Sequence, residues 1–154
     1  MRFRRAAATG LVLRSAVACL LVACGSPNEH PPDQVLRDSL GLAETDQVFR
    51  VEVVAEDGRE DARPPEVTIP PGAFVEFVTG DRRLHTVAFL LDDMDPSTAD
   101  FLRTTDQVES PPLLELGSRF VLSFRGAPPG RYPYQLEGNG RPARGLVIVE
   151  EASR

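Results

Sequence analysis

From Gln47 to Glu150 the chain repeats one local pattern, short runs of alternating or continuous apolar residues separated by Pro, Gly and charged clusters. In Gln47–Val54, Phe49, Val51 and Val53 alternate with Val48, Arg50 and Glu52, the period of two that marks a half-buried strand. Glu66–Val78 predicts a strand, a turn at Pro71-Gly72 and a second strand, with Phe74 and Glu76 on one face and Val75 and Phe77 on the other. His85–Leu91 is apolar, β-branched and aromatic, as a strand buried on both faces requires. Arg119–Phe124, Arg131–Leu136 and Gly145–Glu150 predict three more strands, separated by Pro128–Gly130 and by Glu137–Arg144. Glu56–Pro65 is charged and turn-rich and predicts a hairpin or loop. Between Asp92 and Pro112 the pattern breaks, and Asp95 with Pro96 ahead of Ser97–Arg103 predicts one short helical excursion. About seven short strands with regular turn signals predict an all-β, antiparallel Greek-key β-sandwich. The 14 Pro and 12 Gly favour the same many-turned fold.

The N-terminus follows a different rule. Arg2, Arg4 and Arg5 precede a nine-residue apolar run, Ser15–Ala23, bounded upstream by Arg14. That run has signal-peptide length and is too short to span a bilayer. It ends in Leu21-Val22-Ala23-Cys24-Gly25, which resembles the lipobox of bacterial lipoproteins and makes Cys24 the expected lipidation site. The other cysteine, Cys19, falls in the removed part, so no thiol remains for a disulfide or a metal. The residues around Arg4-Arg5 do not support twin-arginine export, and general secretion is expected. Gly25–Gln34 is polar and Pro-rich, the composition of an extended tether that cannot build a core, and it places His30 in a solvated linker. Asp33 and Gly41 could bracket a short capped helix. The expected organisation is a signal peptide at 1–23, a lipidated N-terminus and tether with a possible short helix at 24–44, and one domain at 45–151.

Charge narrows the partners. All 17 basic residues are arginine, and the 13 after Cys24 face 23 acids, a net charge of −10. Such a surface repels phosphate backbones and excludes nucleic acid. The expected partners are the membrane, through lipid on Cys24, and a protein of the cell envelope, on the periplasmic or other extracytoplasmic face with the outer membrane as one location.

Val67-Thr-Ile-Pro-Pro-Gly-Ala-Phe-Val-Glu-Phe77, Leu84-His-Thr-Val-Ala-Phe89, Phe120–Phe124, Pro129-Gly-Arg-Tyr-Pro-Tyr134 and Gly145–Val149, in that order and spacing, resemble the cupredoxins of the plastocyanin and azurin type, over about Gln47 to Glu150. In that family the His-Thr-Val segment supplies the first copper ligand. The loop after the Tyr-x-Tyr strand supplies a cysteine, a second histidine and a methionine. Two imidazoles and a thiolate make the trigonal blue-copper site, and a distant thioether tunes it. Here the resemblance puts Leu136, Asn139 and Ala143 at those later positions. Counting back from Gly145 instead puts Gln135 and Gly138 in place of the cysteine and histidine. Neither register restores a ligand, and no Cys, His or Met follows Met94. Only His85 is retained, read either as a weak copper contact or, in preference, as a histidine kept for hydrogen bonding beneath the end loops.

No metal cofactor is therefore expected, with copper as the alternative. The first functional reading is a copper-free binding or structural module. The second is an electron carrier still working like blue-copper proteins, and the third is low-affinity copper capture by His85, Met94 and His30. The arginines of the Glu137–Arg144 loop suggest either a solvated turn or an anion or partner contact. With one histidine in the domain no Ser-His-Asp arrangement can be argued, no carboxylate pair is held at a readable spacing, and Asp92-Asp93-x-Asp95 lacks the rest of a calcium loop. The chain reads as a non-enzyme.

Overall fold

The structure, a computed structural model, describes residues Pro27 to Ala152; the signal segment, Cys19 and Cys24 lie outside the described residues. Nine strands and two helices follow one another as β1 (Glu29–His30), α1 (Gln34–Leu40), β2 (Val48–Glu56), β3 (Arg59–Arg63), β4 (Glu66–Ile69), β5 (Phe74–Thr79), β6 (His85–Phe89), α2 (Pro96–Thr104), β7 (Arg119–Ser123), β8 (Gly130–Gly138) and β9 (Ala143–Val149), with one 3-10 turn at Leu91–Asp93. One sheet runs β1-β2-β5-β7 with β3 also paired to β2, and the other runs β4-β9-β8-β6.

The inner faces follow the alternation of the sequence. Phe49, Val51 and Val53 of β2 and Val75 and Phe77 of β5 meet Val87, Phe89, Tyr132, Tyr134, Leu136, Val147 and Val149 of the opposite sheet in one core. Phe77 stands edge-on to Tyr134 with centroids 4.9 Å apart, a geometry that aligns ring edge with ring face.

The expected antiparallel sandwich needs one correction. β2 pairs with β5 and β4 with β9 in parallel. The chain leaves β2 through β3 and β4, and β4 belongs to the other sheet, so β5 returns beside β2 in the same direction. The charged Glu56–Pro65 stretch is a hairpin. Asp57 and Gly58 both have positive φ, 50° and 72°, as a tight two-residue turn between twisted strands requires, and β3 follows directly.

The expected free tether is the larger correction. Glu29 and His30 pair with Phe49 and Val48 of β2, and the amide of Arg50 donates to Asn28 O at 2.9 Å. Helix α1 is capped as expected, with Asp33 accepting from the Leu36 amide and Gly41 left-handed at φ 65°. Its Leu36, together with Leu42, covers Val48 and Phe74 on the outer face of the first sheet. Val48 and Phe74 occupy positions that would otherwise face solvent, so this apolar pair needs the N-terminal layer over it. Beside them Glu76 is fully buried, with Arg50 Nε and His30 Nε2 each 2.7 Å from its Oε1 and Arg119 Nη1 3.7 Å from its Oε2. His30 is therefore the neighbour of a buried carboxylate and no solvated linker residue.

Candidate functional site

His85 opens β6, and its main chain is paired on both sides. Its amide donates to Leu113 O at 3.0 Å, its carbonyl accepts from Leu113 N at 2.9 Å, and across the sheet it faces Gly138 of β8. The imidazole points into the end of the sandwich and has no exposed surface.

Two carboxylates hold it. Nδ1 lies 2.6 Å from Oε2 of Glu60, itself fully buried on β3, and Nε2 lies 2.9 Å from Oδ1 of Asp81 in the turn between β5 and β6. A neutral imidazole has one N–H and can donate to only one of them. Each ring nitrogen thus faces a carboxylate oxygen, and neither is left open to solvent.

The carboxylates are themselves anchored. Glu60 Oε1 accepts from the Gly140 amide at 3.2 Å, and its own amide donates to Arg141 O at 2.9 Å. Asp81 accepts from the Ala55 amide at 2.8 Å and the Arg83 amide at 2.7 Å. Partial burial pushes the Asp81 carboxyl up, but the amide of Ala55, the His85 ring and the amide of Arg83 outweigh it and bring it to about 2 from 3.8. A carboxyl depressed in the folded state stabilises the fold above its unfolded value, and the contribution disappears as pH falls from about 4 to about 2. Unfolding free energy measured across that window should fall less steeply in Asp81→Asn than in the wild type. Parallel slopes would contradict this reading.

The positions that the resemblance assigned to the other ligands are built for other purposes. Leu136 is fully buried in the core opposite Val87, Ala143 is buried beside it as its cross-strand partner, and Asn139 is exposed in the β8–β9 loop. In the alternative register, Gln135 pairs with Ala88 and Arg144. Gly138 has no room for a side chain: a Cβ there would overlap Leu84 O and stand 2.5 Å from Glu60 Oε1. The Glu60 carboxylate thus occupies the space into which a residue at 138 would reach.

These residues do not fit copper. Leu136, Ala143 and Gly138 offer no side-chain donor, and both nitrogens of His85 face carboxylates. Nor are His85, Met94 and His30 brought together, which corrects the reading of copper capture by the three. Met94 follows the far end of β6, near Arg131, Pro133 and Leu146, while His30 lies on the outer face of the other sheet. Among the described residues no group of three or more His, Cys, Asp or Glu side chains has the arrangement of a metal site.

Sequence reasoning identified His85 but missed both of its partners. Asp81 lies four residues before His85 in a turn, a proximity the sequence does display. Glu60 is 25 residues away, in a stretch so charged that nothing distinguishes it as buried. The one available signal is its phase: in β3, Glu60 and Ala62 point inward between exposed Arg59 and Arg63.

No protein-family profile matches the chain, and no curated protein matches its sequence. Among solved structures the chain is similar to a copper-containing nitrite reductase from Thermus scotoductus (23% identity, 68% of this chain and 23% of that one, TM-score 0.47). It is also similar to a purple cupredoxin from Nitrosopumilus maritimus (23% identity, 64% and 98%, TM-score 0.42) and to amicyanin from Paracoccus versutus (25% identity, 66% and 81%, TM-score 0.43). The chain therefore spans less than a quarter of the reductase's length. In its own strand order, with two sheets of which each contains one parallel pair, the domain is a two-sheet β-sandwich.

Proposed function

We propose that this chain is a copper-free, cupredoxin-like binding or structural module of the cell envelope, held at the membrane by a lipid on Cys24. The observation that carries the copper-free part is the engagement of both His85 nitrogens by Glu60 and Asp81. Metal ligation needs a deprotonated nitrogen with its lone pair free, and here each nitrogen is already aimed at an acceptor. The binding part rests on what is left at the surface. Near the His85 end, Leu114 and Leu116 are more than half exposed beside Arg82.

Lipid attachment would bring the module close to the bilayer. With Glu29 fixed to β2, the chain from Cys24 to Glu29 reaches at most about 18 Å even fully extended. Among the described residues no helix is long and apolar enough to cross a membrane.

An electron-carrier role is the reading this proposal displaces, and voltammetry separates them. Protein exposed to copper and washed should give a flat trace across the range in which cupredoxins respond. A reversible wave that survives washing would overturn the copper-free reading. In the producing cell, labelled fatty acid should be incorporated into the wild type and lost in Cys24→Ser; label retained in the variant would refute the anchor.

A further inference from the structure

We infer that Glu60, His85 and Asp81 form a metal-independent cross-link that ties the two sheets together at the end where the cupredoxin resemblance places copper. It goes beyond the copper-free reading, because it assigns the retained histidine a structural task.

The argument is topological. Glu60 stands on β3, at the edge of the first sheet, and Asp81 follows β5 of the same sheet; His85 stands on β6, at the edge of the second. One imidazole therefore bridges from sheet to sheet through two charge-assisted hydrogen bonds of 2.6 and 2.9 Å. The carboxylates extend the connection. Asp81 reaches the end of β2 through the Ala55 amide, and Glu60 reaches the β8–β9 loop through the Gly140 amide. The same loop is stitched to the β2–β3 turn by Arg141, whose amide donates to Gly58 O at 2.9 Å. Three stretches of chain, around residues 55–60, 81–85 and 140, are joined through one ring and its two carboxylates, which is what a metal ion does when its ligands come from several loops.

The chemistry separates a cross-link from ordinary packing. A buried carboxylate is tolerated when paired and is costly when its partner is removed, whereas replacing the whole group with apolar residues can restore stability. Glu60 has no exposed surface, so losing His85 leaves it with only the Gly140 amide. The core-facing location of the pair then makes the two losses strongly coupled.

The experiment combines variants with a measurement on the native chain. His85→Leu and Glu60→Leu should each lower Tm by roughly 10 °C or more, while the double variant should lose markedly less than the two together. In the wild type, Tm should be the same in EDTA and in excess copper or zinc, an arm that needs no variant to fold. Additive losses would overturn the cross-link while leaving the copper-free reading intact. A Tm raised by metal through His85 would overturn both.

Discussion

Gly145→Val is expected to destabilise the domain by about 3 kcal/mol or more, read as a lower urea midpoint with an unchanged slope. Gly145 is the cross-strand partner of Tyr134, and a Cβ there would overlap the Cζ and hydroxyl of that ring. The ring has nowhere to go. Tyr134 is fully buried, edge-on to Phe77 at 4.9 Å and to Phe89 at 6.1 Å. Interiors are packed at crystal density, so displacing one aromatic forces the others off their rotamers. Tyr134→Phe is the matching control. The Tyr134 hydroxyl is buried without a hydrogen-bond partner, so its removal should cost little. A Gly145→Val protein with the wild-type midpoint would show that the core yields more readily than this packing implies.

Removing the N-terminal layer has the second large effect. A chain beginning at Thr45 should lose about 3–6 kcal/mol relative to one beginning at Gly25, the value of two fully buried leucines; as an area-based figure it is an upper estimate. The truncation deletes Leu36 and Leu42, uncovers Val48 and Phe74, and takes His30 from the buried Glu76. It also removes Asp33, whose carboxylate lies 2.5 Å from Arg119. Urea unfolding measures the loss, and binding of a hydrophobic dye should increase as the outer face opens. Equal midpoints for the two chains would return residues 29–42 to the status of a tether.

That prediction marks where the sequence was legible and where it was not. Strand phase was readable because one face of each strand is buried: Phe49, Val51 and Val53 alternate with Arg50 and Glu52, and the structure buries the first set. Helix α1 was readable from its ends, Asp33 and Gly41, whose side-chain and backbone requirements are local. The placement of that helix was not, because a seven-residue helix with a polar, Pro-rich approach carries no sign of the sheet it covers. Val48 and Phe74 held the missing information. Each is apolar on the outward phase of its strand, which signals a second covered face.

The candidate site divides in the same way. His85 was readable as a position in a segment resembling a known family, and the loss of the later ligands was readable as missing residue types. What replaces them was not, since Glu60 reaches His85 from another sheet, and long-range pairing leaves no local trace in the sequence. The parallel pairs β2–β5 and β4–β9 escaped for a related reason. Alternation reports which face is buried but says nothing of strand direction.

Copper stoichiometry of the folded domain after loading and exhaustive washing tests the central claim most directly. With both His85 nitrogens committed to Glu60 and Asp81, the protein should retain no more copper than a His85→Leu variant treated alike. One copper bound per chain in the wild type and lost in that variant would contradict the account.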